Sequence, residues 1–157
     1  MSAESSLVVP KRFKTPCSTL VVIYNDQLEV LLMERADHPG FWQSVTGSQE
    51  QGESLMATAS REVLEETGID VACYQLTDWQ RHNAYEIYAI WRHRYAPDVT
   101  HNTEHVFGLR LPGRVPVRLN AGEHLQYVWL PVDKAAPLCF SWSNRDAILA
   151  LPALLQT

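Results

Sequence analysis

A chain of 157 residues with 46% hydrophobic and 20% charged residues can close one real core, and this composition excludes a disordered chain. The formal net charge of -5 argues against a broad nucleic-acid surface, although a bound metal ion can still reverse the potential at one anion site. No stretch approaches the roughly 18–20 unbroken apolar residues of a membrane span, and no apolar run with a cleavage site follows the early basic residues, so a cytoplasmic protein without a membrane partner is expected.

In chain order, residues 1–13 read as a flexible N-terminal arm, its loosest part Met1 to Pro10, and residues 14–157 as a single domain. Ser18 to Tyr24 and Val30 to Glu34 are rich in Val, Ile and Leu and flank Asn25-Asp26, which predicts a β-hairpin. Asp37 to Gly40, with His-Pro-Gly, marks a turn, and Trp42 to Val45 a short extended piece. Ser54 to Thr67 predicts a helix, with Ser54 as N-cap and Gly68 in the left-handed position past its end. Leu55, Met56, Ala59 and Val63 form its apolar face. Strands are expected at Leu76 to Gln80, Tyr85 to Arg94, Glu104 to Leu111 and Gln126 to Leu130. A last helix is expected from about Ser143, with Ser143 and Asp146 as a capping box, ended or kinked by Pro152. This order of elements predicts an α/β fold with a mixed sheet covered by helices.

Cys17, Cys73 and Cys139 are few, odd in number and in no metal-binding spacing, so they read as reduced thiols acting as small buried hydrophobes. Trp79, Trp91 and Trp129 read as core residues, and the six scattered histidines are not assigned to a metal.

The chemistry-bearing segment is Gly47 to Ile69, GSQEQGESLMATASREVLEETGI. At about 100° per residue Glu62, Glu65 and Glu66 fall within an arc of roughly 100° beside the apolar face. A bare E-x-x-E-E pattern is most often a solvated acidic face. Like charges at such spacing repel, and a divalent cation removes the conflict. Hard carboxylate oxygens suit Mg²⁺ or Mn²⁺, which points to phosphoryl or pyrophosphoryl transfer.

Gly47, Glu53, Arg61, Glu62, Val63, Glu65, Glu66, Gly68 and Ile69 match G-x5-E-x7-R-E-U-x-E-E-x-G-U, with U bulky and aliphatic, at every defined position. Chance occurrence is on the order of 10⁻⁸ at average residue usage. The chain therefore resembles the Nudix hydrolases. That resemblance implies an α/β/α sandwich, a loop-helix-loop box and hydrolysis of a phosphoanhydride. It makes Glu62 and Glu66 the expected metal ligands and Glu65 a third candidate. Arg61 would orient these carboxylates. Glu53 would hold the loop or a metal-bound water, or be purely structural.

FWQSVTGS at Phe41 to Ser48, SWSNR at Ser141 to Arg145, RHRYAP at Arg92 to Pro97, NTEH at Asn102 to His105 and KTPCSTLVVIY at Lys14 to Tyr24 resemble the branch of that family acting on dihydroneopterin triphosphate. The resemblance implies Mg²⁺-dependent cleavage of 7,8-dihydroneopterin 3'-triphosphate to the monophosphate and pyrophosphate, in folate synthesis. It adds Glu123 as a metal ligand or general base. It makes Lys14, Arg35 and Thr46 phosphate contacts, and Tyr85, Glu86, Ile87, Tyr88 and Ser141 further substrate contacts. Glu86 is expected to accept from a 2-amino-4-oxo ring edge, with Tyr85 or Tyr88 stacking on the ring. A housecleaning nucleoside triphosphate pyrophosphohydrolase acting on dATP or oxidised dGTP is the alternative. A non-catalytic binding module is disfavoured by the intact carboxylates. The expected partner is a small triphosphate, with no nucleic acid and no obligate protein.

Overall fold

A computed structural model describes residues 12–156; most of the expected arm over residues 1–13 lies outside the described residues. The described residues form a mixed seven-stranded sheet with helices on both faces. β1 (Cys17–Asn25) lies at its centre, parallel to β6 (His101–Leu111) and antiparallel to β2 (Glu29–Arg35) and β4 (Val45–Ser48). β5 (Gln75–Glu86) pairs with the far side of β6, while β3 (Trp42–Gln43) and β7 (His124–Pro131) both pair with β2.

Both faces of β1 are buried, because each meets a helix layer. Val21, Ile23, Leu31, Phe107 and Leu109 pack against Ala59 and Val63 of α1 (Leu55–Thr67). Leu20, Val22, Leu32 and Val106 pack on the opposite side against α2 (Val132–Leu138) and α3 (Trp142–Leu154), through Ala135, Ala136, Ile148 and Leu151. This arrangement is the expected α/β/α sandwich. No helix of the described residues is long and apolar enough to cross a membrane.

α1 follows its sequence signals at both ends, but Met56 of the expected apolar face is 42% exposed, and Ala59 and Val63 make the buried contact. The Ser54 side chain accepts from the Ala57 N–H, and Gly68 adopts a left-handed conformation with φ 74° while its N–H donates to the Leu64 carbonyl. These contacts satisfy orphan groups at both ends of the helix.

Several other expectations change. The first hairpin is paired only at Tyr24–Val30; beyond it β1 and β2 part, and β4 takes the place beside β1. The two expected strands Leu76 to Gln80 and Tyr85 to Arg94 merge into β5, which ends at Glu86. Ala89–Arg94 forms a 3₁₀ segment instead, because the ladder with β6 ends at Glu86–His101 and leaves these residues no partner strand. Within β5, Trp79 and Gln80 bulge out of register, and the Trp79 ring covers Gly108, where any Cβ would collide with it. Trp79 and Trp129 do pack on the core, as expected. Trp91 instead lines a cleft, and Cys73 is exposed at the end of a 3₁₀ turn rather than buried; all three cysteines are free.

The cap of α3 is Ser141, whose Oγ accepts from the Asn144 N–H, and not the expected pair Ser143 and Asp146. Ser143 is buried in the first turn and bonded to Glu104, while Asp146 is exposed beside Arg145. α3 continues through Pro152 to Leu154. α2 had no counterpart in the sequence reading, since seven residues ending around Pro137 carry too little periodicity.

Asn144 fastens α3 to the sheet: its Oδ1 accepts from the Ser44 N–H at 2.8 Å and its Nδ2 donates to Ser44 Oγ at 3.0 Å. Both residues are buried. Asn144→Ala is expected to destabilise the fold by about 2–3 kcal/mol, since a buried N–H loses its partner. Urea denaturation measures this, and a change below about 0.5 kcal/mol would contradict it.

Candidate active site

The cleft opens where β1 and β2 part and has a volume of about 1020 Å³. Its acidic end is built on α1. Side chains four apart on a helix share a face, so Glu62 and Glu66 stand together, with Glu65 turned outward and exposed. Glu62 reaches β4, and its carboxylate lies where a Cβ on Gly47 would be, so only glycine fits there.

Arg61 binds this region together. Its Nε donates to Glu53 at 2.7 Å, one terminal nitrogen to Glu62 at 2.8 Å, and the other to the Ser48 carbonyl at 3.0 Å and to Glu53 at 3.0 Å. Glu65 lies farther off, at 3.4 Å. Glu53 also accepts from the Glu50 N–H and the Thr58 hydroxyl, and Arg61 lowers its carboxyl to about 2. Every one of these contacts of Glu53 holds the loop or the arginine.

Glu66 is 2% exposed, and one of its oxygens has no hydrogen-bond partner. Burial, then Glu62 and Glu123, hold its carboxyl well above the ordinary range; burial also raises Glu62. Glu123 comes from the turn before β7. The Glu123 carbonyl accepts from the Ala36 N–H at 2.8 Å, and the Asn120 carbonyl accepts from the N–H of both Glu123 and His124. The ligand atoms of Glu66, Glu123 and His124 all lie within 4.8 Å of one another. His124 is buried with Nε2 3.6 Å from Glu66, and burial and Arg35 lower its imidazole to about 4, so it is neutral at pH 7. A buried acid with one unpartnered oxygen, beside further carboxylates, fits a hard divalent cation.

Basic groups rim the cleft. Arg35 forks onto Asp37 at 2.7 Å, bonds Gln43 at 3.2 Å, and stacks 4.4 Å from the centre of the Trp91 ring. Lys14 and Thr46 line the same cavity, and the Lys14 backbone N–H donates to the Arg94 carbonyl. Burial and then Arg94 lower the Lys14 ammonium.

Tyr85, Ile87, Tyr88 and Ser141 also line the cleft. Trp91 and Phe140 stand beside Tyr88 with ring centroids 5.7 Å from it. Glu86 does not join them: its side chain is 67% exposed and pairs with Arg92, because alternation along β5 turns it away from Tyr85. Glu104 and Asn102, inside the NTEH stretch but given no role there, and His124 also line the cleft. The first two share the inward parity of Val106 on β6, a signal present in the sequence.

The NUDIX domain family model matches residues 14–151. The dihydroneopterin triphosphate diphosphatase of Escherichia coli K12 is 52% identical over 141 residues, covering 88% of this chain and 93% of that protein. That of Haemophilus influenzae is 36% identical over 152 residues, 94% of each. The structure of the E. coli dihydroneopterin triphosphate pyrophosphohydrolase superposes with a TM-score of 0.86 at 48% identity, over 94% of this chain and 100% of that one. A putative NUDIX hydrolase from Listeria monocytogenes has a TM-score of 0.77 at 23% identity, a likeness of fold. With the box arginine drawing its glutamates together on one helix, and with a family match running through almost the entire domain, this chain belongs to the Nudix hydrolases.

Proposed function

We propose that this hydrolase converts 7,8-dihydroneopterin 3'-triphosphate and one water into the 3'-monophosphate and pyrophosphate. The observation that carries this reading is the 52% identity to the E. coli diphosphatase across 88% of the chain. Nudix hydrolases use divalent cations, and Mg²⁺, with Mn²⁺ as substitute, suits the all-oxygen donors better than zinc. Glu62, Glu66 and Glu123 would hold the ion, with the exposed Glu65 a further candidate. When bound, the ion supplies positive charge for the phosphate oxygens and a polarised water. Between ligand and base, the approach of Glu123 to Glu66 favours the ligand role.

Arg61 keeps Glu62 oriented, and Glu53 keeps Arg61 oriented. Lys14, Arg35 and Thr46 take the phosphate oxygens. Tyr85, Ile87, Tyr88 and Ser141 line the heterocycle end. The enzyme works as one cytoplasmic domain over residues 14–157, independent of any obligate partner.

Comparing kcat/KM for dihydroneopterin triphosphate, dATP and 8-oxo-dGTP tests the reading. A pterin preference of at least about tenfold is expected; a nucleotide preference of that size would replace it with the housecleaning activity.

A further inference from the structure

The heterocycle end of the cleft holds a carboxyl that the hydrolytic chemistry does not use. Glu104 on β6 is only 4% exposed, yet it lines the cavity. Its strand neighbours in register are Ser18 of β1 and Asn83 of β5, both uncharged. Ser143, from the first turn of α3, hydrogen-bonds to it, and its Oε1 has no partner among the described residues. Two residues earlier, Asn102 donates to Ser18 Oγ at 2.8 Å and to the Tyr85 hydroxyl at 3.0 Å. Its Oδ1 is likewise buried without a partner. Two unsatisfied acceptors, two residues apart on one face of β6, therefore line the same cleft as Tyr85, Tyr88 and Phe140.

Native proteins rarely keep such groups unpaired, because each costs stability while nothing occupies the site. Burial raises the Glu104 carboxyl to about 7, which expresses the same cost. A ligand presenting two adjacent N–H donors would satisfy it. Glu62, lodged against β4, and Glu104 of β6 line one cleft, their strands separated only by β1, so a single ligand can meet both.

We propose that Glu104 reads the heterocycle of the substrate, its carboxylate accepting the ring N–H and the exocyclic amino group of a 2-amino-4-oxo edge, with the Asn102 carbonyl as the adjacent acceptor. This rests on the proposed pterin substrate and gives Glu104 the role that the sequence reading assigned to Glu86. A site built around donors discriminates strongly against analogues lacking them, because its own acceptors then stay buried and unpaired.

The test compares wild type and E104Q on dihydroneopterin triphosphate, on GTP, which carries the same edge, and on dATP, which lacks it. A glutamine amide offers one acceptor and one donor, so it cannot take both N–H groups. For E104Q, kcat/KM is expected to fall at least about a hundredfold for the pterin and GTP, and less than about threefold for dATP. An equal fall on all three would show Glu104 to be structural, and no fall would show it idle; either overturns the proposal. Binding of dihydroneopterin without phosphates or metal, followed by tryptophan fluorescence, should weaken at least about tenfold in E104Q. Unchanged binding counts against the proposal. Should E104Q not fold, E104D withdraws the oxygens by one methylene, and the same split between substrates is required of it. Wild type preferring dATP would defeat the pterin reading itself. Wild type preferring the pterin while E104Q keeps that preference would defeat only the role of Glu104.

Discussion

Glu66→Gln is expected to lower kcat by at least about a hundredfold while leaving the protein folded, because on the proposed reading it removes a carboxylate that would hold positive charge beside the reacting phosphate. Steady-state rates at saturating Mg²⁺ and a thermal melt measure the two halves of this statement. The structure adds an expectation about stability. Burial and two neighbouring acids hold the Glu66 carboxyl well above its ordinary 4.5. In the metal-free fold the group stays protonated over a pH range in which the unfolded chain has already ionised. Its contribution to stability is therefore complete below about pH 4.5 and is lost as pH rises toward the folded value. A bound cation reverses that loss by favouring the charged form. Mg²⁺ should therefore raise Tm in wild type more at pH 8 than at pH 5, and most of that rise should vanish in Glu66→Gln. Near-normal kcat, or an undiminished Mg²⁺ shift in the variant, would remove Glu66 from the metal site.

Gly47→Ala should separate activity from stability in a way few glycine substitutions do. The new Cβ would overlap Cγ, Cδ and Oε1 of Glu62, the outer part of a flexible side chain. The backbone of Gly47 is held in register opposite Thr19, so the glutamate is what moves. Swinging away costs little in folding, within about 1 kcal/mol, but it breaks the 2.8 Å bond to Arg61 and takes a carboxylate from the proposed metal site. The expected result is a fall in kcat of at least about tenfold with Tm nearly unchanged. Tm falling by more than about 5 °C with kcat intact would mean that the strand yields instead.

How much of this was legible beforehand varies with the range of the interactions. α1 was readable to its last residue, since Ser54, the apolar stripe and Gly68 act within a few residues of one another. The box glutamates shared a face by helical geometry alone. Beyond that helix, local pattern located β6 and β7 but not the end of β5, and the resemblance placed in the cleft a Glu86 whose side chain turns away from it. Tyr88 to Arg94 looked extended, yet a strand exists only opposite a partner, and β6 supplies none past Glu86. Trp91 looked like core, but it lies over Arg35 at the cleft and its indole N–H donates to Asp37 at 3.1 Å.

The helix of clustered glutamates and a mixed sheet with helices on its faces were legible in residue types and periodicities, whereas the metal role of that helix came with the resemblance to the Nudix box. Two things required the folded protein. One is the meeting of Glu123 and His124 with Glu66, some sixty residues apart and joined by a turn pinned to the end of β2. The other is which glutamate faces the heterocycle. Alternation assigns Glu86 and Tyr85 to opposite faces, but only the pairing of β5 with β6 and the packing of α3 decide that the enclosed face carries Tyr85 and Glu104. Hydrophobic spacing sets which residues are buried; a buried charge gains its meaning from what long-range pairing leaves open beside it.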